Sequence, residues 1–409
     1  MNILLLVADD HRHDLLGVAG HPDVRTPHLD TLARRGVRFT HAFSLGSNQP
    51  AVCAPSRAML HTGRSLFRVP NAIKGGGRQA PSYDAEGVDP EHVPLLGELL
   101  QQAGYDRFAC GKWHNGARAF ARSFNDGSAL FFGGMTDPFH PPLHEYDAQG
   151  DYPAERARPG EQHATDAFAD AAVQFLRRRS TEQPFFLSCA FTAPHDPFRT
   201  HARWHGIYNP DRLTLPANLL PQHPFDNGEL AIRDEMLLPH PRTESAVRRY
   251  LADHYAMISH LDEAVGRIIE ALAHSGELDR TLIVYTADHG LALGQHGLLG
   301  KQNLYDHSIR VPLILAGPGL PEEGTCDELV YQHDLFATLL AAAGLPLPAG
   351  TDFDRDLQCV AAGEAPGRAE LFFTYRHVQR AVRTRRHKLI AYRVGGTARR
   401  QLFDLDRDP

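Results

Sequence analysis

The chain has 409 residues, 42% hydrophobic and 22% charged, which is ordinary globular composition and too long for one simple core. Its 35 Gly and 29 Pro are spread along the chain, which excludes collagen-like and low-complexity classes. The 42 Lys and Arg against 49 Asp and Glu leave a net charge of −7, which argues against a nucleic-acid partner, and five Cys are too few for a disulfide framework. Histidine, with 25 copies, is the unusual count.

Met1 leads directly into the apolar run 2–8, which reads as a buried strand. The run is too short for a signal peptide and lacks a basic flank. No stretch is long and apolar enough to span a bilayer, so no membrane partner is expected. The sequence as given reads as cytoplasmic, and as periplasmic or secreted if a leader has been removed. Helical periodicity follows at 27–35 and 55–62. The segments 66–91, 133–162 and 196–242 read as long loops able to shape a pocket. Further strands are expected at 105–110, 184–191, 281–287 and 311–316, alternating with helices at 92–103, 164–179, 246–274 and 334–343. This alternation indicates an α/β fold with a mostly parallel or mixed sheet and helices on both faces. A large α/β domain over 1–325, which will carry the candidate site, is expected, then a smaller α+β subdomain over 326–409 with strand-like pieces near 370–376, 379–393 and 400–405. The chain stops at Asp-Arg-Asp-Pro without a capping element, which suggests a continuation.

In such sheets ligands bind beyond the carboxyl ends of the strands. The residues there are polar throughout: Asp9-Asp10, Gly111-Lys112-Trp113-His114, Pro194-His195-Asp196-Pro197 and Asp288-His289-Gly290. Packing does not require four strands to deliver carboxylate, Lys and His to one edge. Asp9, Asp10 and Asp288 are hard oxygen donors suited to Ca²⁺ or Mg²⁺. Cys53-Ala54-Pro55-Ser56-Arg57 opens a helix, with Pro55 in its first turn. Cys53 then lies at a helix N-terminus, where a plain thiol is expected to have a lowered pKa. Trp113, Cys110 and Cys189 read as core residues.

Cys-x-Pro-Ser-Arg followed by Thr62-Gly63-Arg64 resembles the sulfatase signature, in which the Cys is oxidised to formylglycine. The other motifs above, Gly300-Lys301, the segment Arg383 to Ile390 and the ending Leu402-Phe403-Asp404-Leu405 resemble further motifs of that family, in order. The resemblance covers essentially the whole chain and implies an alkaline phosphatase-like fold. It implies a divalent metal, Ca²⁺ or Mg²⁺, held by Asp9, Asp10, Asp288, His289 and the modified Cys53. His289 stands where many relatives carry Asn. A formylglycine hydrate would attack sulfur, with Arg57 orienting it and Lys112 and Lys301 binding the sulfate oxygens. His195 would protonate the leaving oxygen, and His114 would take a proton as sulfate is expelled. Asn71, Gln302, His307 and Arg310 are candidate substrate contacts.

The resemblance implies a sulfuric ester hydrolase acting on a sulfated small molecule or glycan, the segment 298–307 pointing to carbohydrate. Its implied partner is a formylglycine-generating maturation enzyme. The alternatives are a phosphonate monoester or phosphodiester hydrolase of the same superfamily and a sulfated-glycan-binding protein without activity.

Overall fold

The computed structural model describes residues 1–69, 93–180 and 182–407. In chain order, β1 (Asn2–Ala8) precedes α1 (Pro27–Arg34), β2 (Gly36–Phe43), the two-residue β3 (Gly46–Ser47) and α2 (Cys53–Thr62). Then come α3 (Leu96–Gln102), β4 (Asp106–Lys112), α4 (Ala117–Ser123), β5 (Asp126–Phe131) and the short pair β6 (Pro142–Leu143) and β7 (Arg158–Pro159). The middle holds α5 (Ala164–Arg178), β8 (Phe185–Ala190), α6 (Ala202–His205), α7 (Glu244–His274), β9 (Thr281–Ala287), α8 (Asp306–Ile309) and β10 (Arg310–Ala316). The last part holds β11 (Gly324–Cys326), β12 (Val330–Tyr331), α9 (Leu335–Ala342), α10 (Leu357–Ala361), β13 (Leu371–Tyr375), β14 (Gln379–Arg383), β15 (His387–Val394) and β16 (Thr397–Asp404).

The large sheet runs β11-β2-β10-β9-β1-β8-β4-β5, with β12 also on β2. β9, β1, β8, β4 and β5 are parallel, and β10 is antiparallel to β9 and β2. β1, β8 and β9 are buried along their whole length, which is why their sequences are mostly apolar on both faces rather than alternating. One group of helices, α1, α5 and α7, packs together, and another is built from α2, α3 and α9. The result is a mixed sheet flanked by helices. The second sheet runs β16-β15-β14-β13-β3, with β13 to β16 antiparallel. Its first strand in sequence, β3, comes from the N-terminal part and pairs parallel with β13.

Sequence and structure differ at several places, and α4 is among the elements not expected. β2 and β5 were not among the expected strands, because Arg38, Thr40 and His41 interrupt one and Asp126-Gly127-Ser128 the other. The piece 379–393 is a hairpin, not one strand. Its turn holds no Gly or Pro: Thr384 N–H donates to His387 O (2.8 Å), and Thr384 Oγ1 accepts from His387 N–H (3.0 Å). Beyond residue 325, β11 and β12 still pair with β2 of the large sheet, and the second sheet resumes at Leu371.

Parallel pairing brings the carboxyl ends of β1, β4, β8 and β9 to one edge. The end of β4 is shaped by a register shift against β5 between Cys110 and Gly111. Gly111 has φ +86°, and a Cβ there would lie 1.9 Å from Ala190 O. Only glycine permits this close crossing, which aims Lys112 and His114 at the site.

Candidate active site

Cys53 is the first residue of α2, two residues earlier than the expected helix start, and is 3% exposed. Its Sγ lies 3.1 Å from Asp9 Oδ1, 4.0 Å from Asp10 Oδ1 and 3.1 Å from Lys301 Nζ. Asp9, Asp10, Cys53 and Asp288 each offer a ligand atom within 4.8 Å of the others. Asp10 has φ +69°, a left-handed conformation that turns the chain sharply after β1.

Three cations enter the same space. Lys112 Nζ pairs with Asp9 Oδ2 and donates to Gly134 O at 2.6 Å. Lys301 Nζ bridges both Asp10 oxygens at 2.7 and 2.6 Å. Arg57 Nε donates to Asp288 Oδ2 (2.8 Å) and Nη1 to Lys112 O (2.6 Å), while Nη2 has no hydrogen-bond partner among the described residues. Ser56 Oγ donates to the Asp288 carbonyl at 2.7 Å.

Burial dominates the titration of these groups. It pushes the Cys53 thiol well above its usual value, and the Asp288 and Asp9 carboxylates push in the same direction. The lowered pKa expected for a thiol at a helix N-terminus is therefore not what the fold gives: burial beside two anions outweighs the helix end. Burial and the neighbouring carboxylates Asp9 and Asp288 raise Asp10 to about 6, against the pull of Lys301. Burial also raises Asp288, with Asp9 adding to it. At Asp9 burial is overcome by Lys112, His195, Lys301 and Arg57, which hold its carboxyl well below the usual range. Three crowded hard-oxygen donors, two of them resisting ionisation, fit a divalent cation such as Ca²⁺ or Mg²⁺.

His195 Nε2 lies 3.6 Å from Asp10 Oδ2, and its Nδ1 faces Asp196 O at 2.8 Å and Asp196 Oδ1 at 3.3 Å. His114 (φ +54°) is buried at the mouth of β4. A Cβ on Gly134 would lie 3.1 Å from its Nε2. Burial, Lys112 and Arg57 hold His114 well below the usual imidazole range, so it is neutral. His289 is buried with Nδ1 on Gly290 O (2.9 Å), and burial lowers it to about 3. The four-residue cluster does not include it.

Of the expected substrate contacts, Asn71 lies outside the described residues. Gln302 is next to Lys301, with Nε2 on Asp234 Oδ2 at 2.7 Å. His307 and Arg310 are not brought to the cluster; they line a separate cavity. Trp113 packs against His61, Phe120 and Phe124, and all five cysteines are free thiols.

The sequence reading missed the support from the loop after β8. Arg233 clamps Asp196 (2.5 and 2.9 Å) and Asp234 (2.6 Å). Glu235 accepts from the backbone N–H groups of Leu299 (2.9 Å) and Gly300 (2.8 Å), the two residues before Lys301. No periodicity marks these residues in their Pro-rich segment. A second metal-capable group, His163, Asp166 and His260, also occurs. Its His163 has both nitrogens engaged, Nε2 with Arg199 O (3.0 Å) and Nδ1 with Thr165 N–H (3.2 Å), so it reads as a structural network.

A family model described as sulfatase matches residues 1–345, and one described as N-sulphoglucosamine sulphohydrolase, C-terminal, matches residues 294–409. An N-acetylglucosamine-6-O-sulfatase of Bacteroides thetaiotaomicron is 27% identical over 405 residues, covering 85% of this chain and 68% of its own length. Homo sapiens N-acetylgalactosamine-6-sulfatase is 30% identical over 380 residues, covering 86% and 64%. A structure solved in complex with its substrate D-glucosamine-2-N,6-O-disulfate has TM-score 0.79 and 24% identity, covering 100% of this chain and 92% of its own. A phosphonate monoester hydrolase of Agrobacterium radiobacter has TM-score 0.76 and 22% identity, covering 100% and 90%. Those two structural likenesses establish a shared fold, while the match over residues 1–345 establishes more: the chain belongs to the sulfatase family.

Proposed function

We propose that the chain hydrolyses sulfate monoesters of carbohydrates, with Cys53 matured to formylglycine. The observation that carries this reading is the setting of Cys53. Its thiol is buried beside two carboxylates and stays protonated, which makes it a poor nucleophile as it stands. At this position formylglycine would supply the hydroxyl of a hydrated aldehyde, and a divalent cation would be held by Asp9, Asp10 and Asp288, with His289, next to Asp288 in sequence, as a further donor, and would supply charge against the sulfate oxygens.

The remaining work falls to the chain itself. Lys112 and Lys301 bind sulfate oxygens from two sides. Arg57 is fixed by Asp288 and the Lys112 carbonyl, and its free Nη2 orients the hydroxyl that attacks. His195, with Nδ1 turned to Asp196, presents Nε2 to protonate the leaving oxygen. His114, neutral, takes up the proton released when sulfate departs. Gln302 is the substrate contact beside Lys301. The named relatives that act on 6-sulfated amino sugars, and the neighbour holding a disulfated glucosamine, support a sulfated sugar.

Mass spectrometry of the peptide across Cys53 from active protein tests this directly. The expected mass is that of formylglycine, and an unmodified thiol in fully active protein refutes it. Chelation is expected to abolish activity, with Ca²⁺ or Mg²⁺ restoring it. Rates on a sugar sulfate and on a phenylphosphonate ester separate the two hydrolase classes: a preference for the phosphorus ester overturns the assignment of substrate.

A further inference from the structure

α8, β10 and the β14–β15 hairpin meet around a cavity of about 760 Å³. None of the cluster residues Asp9, Asp10, Cys53, Asp288, Lys112 or Lys301 lines it. Its walls are cationic. Asp306 faces three cations, Lys388 Nζ at 2.6 Å, Arg383 Nη1 at 3.4 Å and Arg310 Nη1 at 3.9 Å. Arg12, also in the lining, pairs with Asp14 at 2.5 Å. With Arg385 and Asp406 the lining holds five cations against three carboxylates, and the surplus is positive.

The donors are also incompletely used. Arg12 Nη1, Arg383 Nε and His307 Nε2 have no hydrogen-bond partner among the described residues. Their residues are 6%, 2% and 6% exposed, so water does not satisfy them freely. Burial, together with His296, Arg12 and Lys388, holds His307 well below the usual imidazole range, consistent with a positive local field. One wall is aromatic: His296 stacks on Tyr305 at 4.2 Å between ring centroids, with the Phe403 ring edge-on at 6.1 Å.

Unpaired buried donors, surplus positive charge and an aromatic wall in one ligand-sized space have a common explanation. We propose that this cavity is a second binding site, separate from the catalytic one, for a sugar ring bearing a sulfate or carboxylate group. The anionic group meets Arg12, Arg383 and His307, and the ring lies along His296 and Phe403. The site rests on its own lining and not on the hydrolytic chemistry.

Calorimetric titration of full-length Cys53→Ala protein with glucosamine 6-sulfate tests it, with inorganic sulfate and unsulfated glucosamine as separate titrants. Two binding events per chain are expected for the sulfated sugar. One is lost in Lys388→Met and in His307→Leu, and the other persists. Lys388→Met leaves Asp306 paired with Arg383 and Arg310, so the fold is retained, which thermal melting verifies. At this second site each simpler titrant binds at least about tenfold more weakly. If no event is lost in both substitutions, or if inorganic sulfate binds this site as tightly as the sugar, the proposal is overturned; a sole event that both substitutions abolish supports this site and counts against sugar binding at the catalytic one.

Discussion

At the scale of single residues, the leaving-group proton is the most testable step. His195 has one nitrogen turned to Asp196 and the other facing Asp10, so its ring is held in one orientation. A general acid matters most when the leaving oxygen is a poor leaving group. His195→Ala is therefore expected to lower kcat on an alkyl or sugar sulfate by about 10²–10⁴-fold. On an activated aryl sulfate the loss is expected to be far smaller. A series of esters with graded leaving-group pKa measures this, and equal losses across the series would argue against an acid role. Most of these residues were legible because each follows a strand or opens a helix. The Cys53 titration was not: a helix N-terminus is visible in sequence, but burial reverses the sign, with Asp288 and Asp9 adding to it, and that surrounding comes from segments distant in the chain.

Among the elements, β4 delivers Lys112 to the cluster and leads into His114. Its register shift at Cys110/Gly111 turns the chain so that Lys112 and His114 reach the cluster. Gly111→Ala places a Cβ against Ala190 O and forces a side chain into left-handed φ. The left-handed backbone alone costs about 1–2 kcal/mol, and the clash adds to it. Urea unfolding is expected to show that loss, with activity falling more than stability because Lys112 and His114 shift together. A stable, fully active variant would show that the crossing is not needed. Four of the five expected strands of the large sheet were legible because burial on both faces makes them rich in apolar residues. β2, β5 and the β14–β15 turn were not, since polar residues on a strand and a Thr-based turn leave no distinctive pattern.

Across the whole molecule, the histidine surplus acquires a physical meaning. His11, held at about 4, and His61 and His333, at about 3, are neutral in the fold because burial opposes their charge. The unfolded chain binds protons at these positions below about pH 6.5, and the folded chain refuses them. Stability is thus complete above pH 6.5 and falls as pH drops toward 4. Each such histidine contributes up to about 1.4 kcal/mol per pH unit. Asp262, raised to about 7, and Asp10, raised to about 6, both by burial, oppose this by one proton each, and the histidines outnumber them. Urea midpoints at pH 7, 6 and 5 are expected to decline steeply, and a flat profile would contradict the buried-neutral reading. The path of β3 has a consequence in time. Gly46–Ser47 pairs with Thr374–Tyr375, so the strand just before Cys53 waits for nearly the last part of the chain to be synthesised. Lys301 and Asp288, which close over the sulfur, also emerge long after it. An enzyme that oxidised Cys53, as the proposed function requires, would meet an accessible side chain only during that interval. A peptide spanning residues 47–64 is expected to be converted readily by such an enzyme, while the folded, unmodified protein resists.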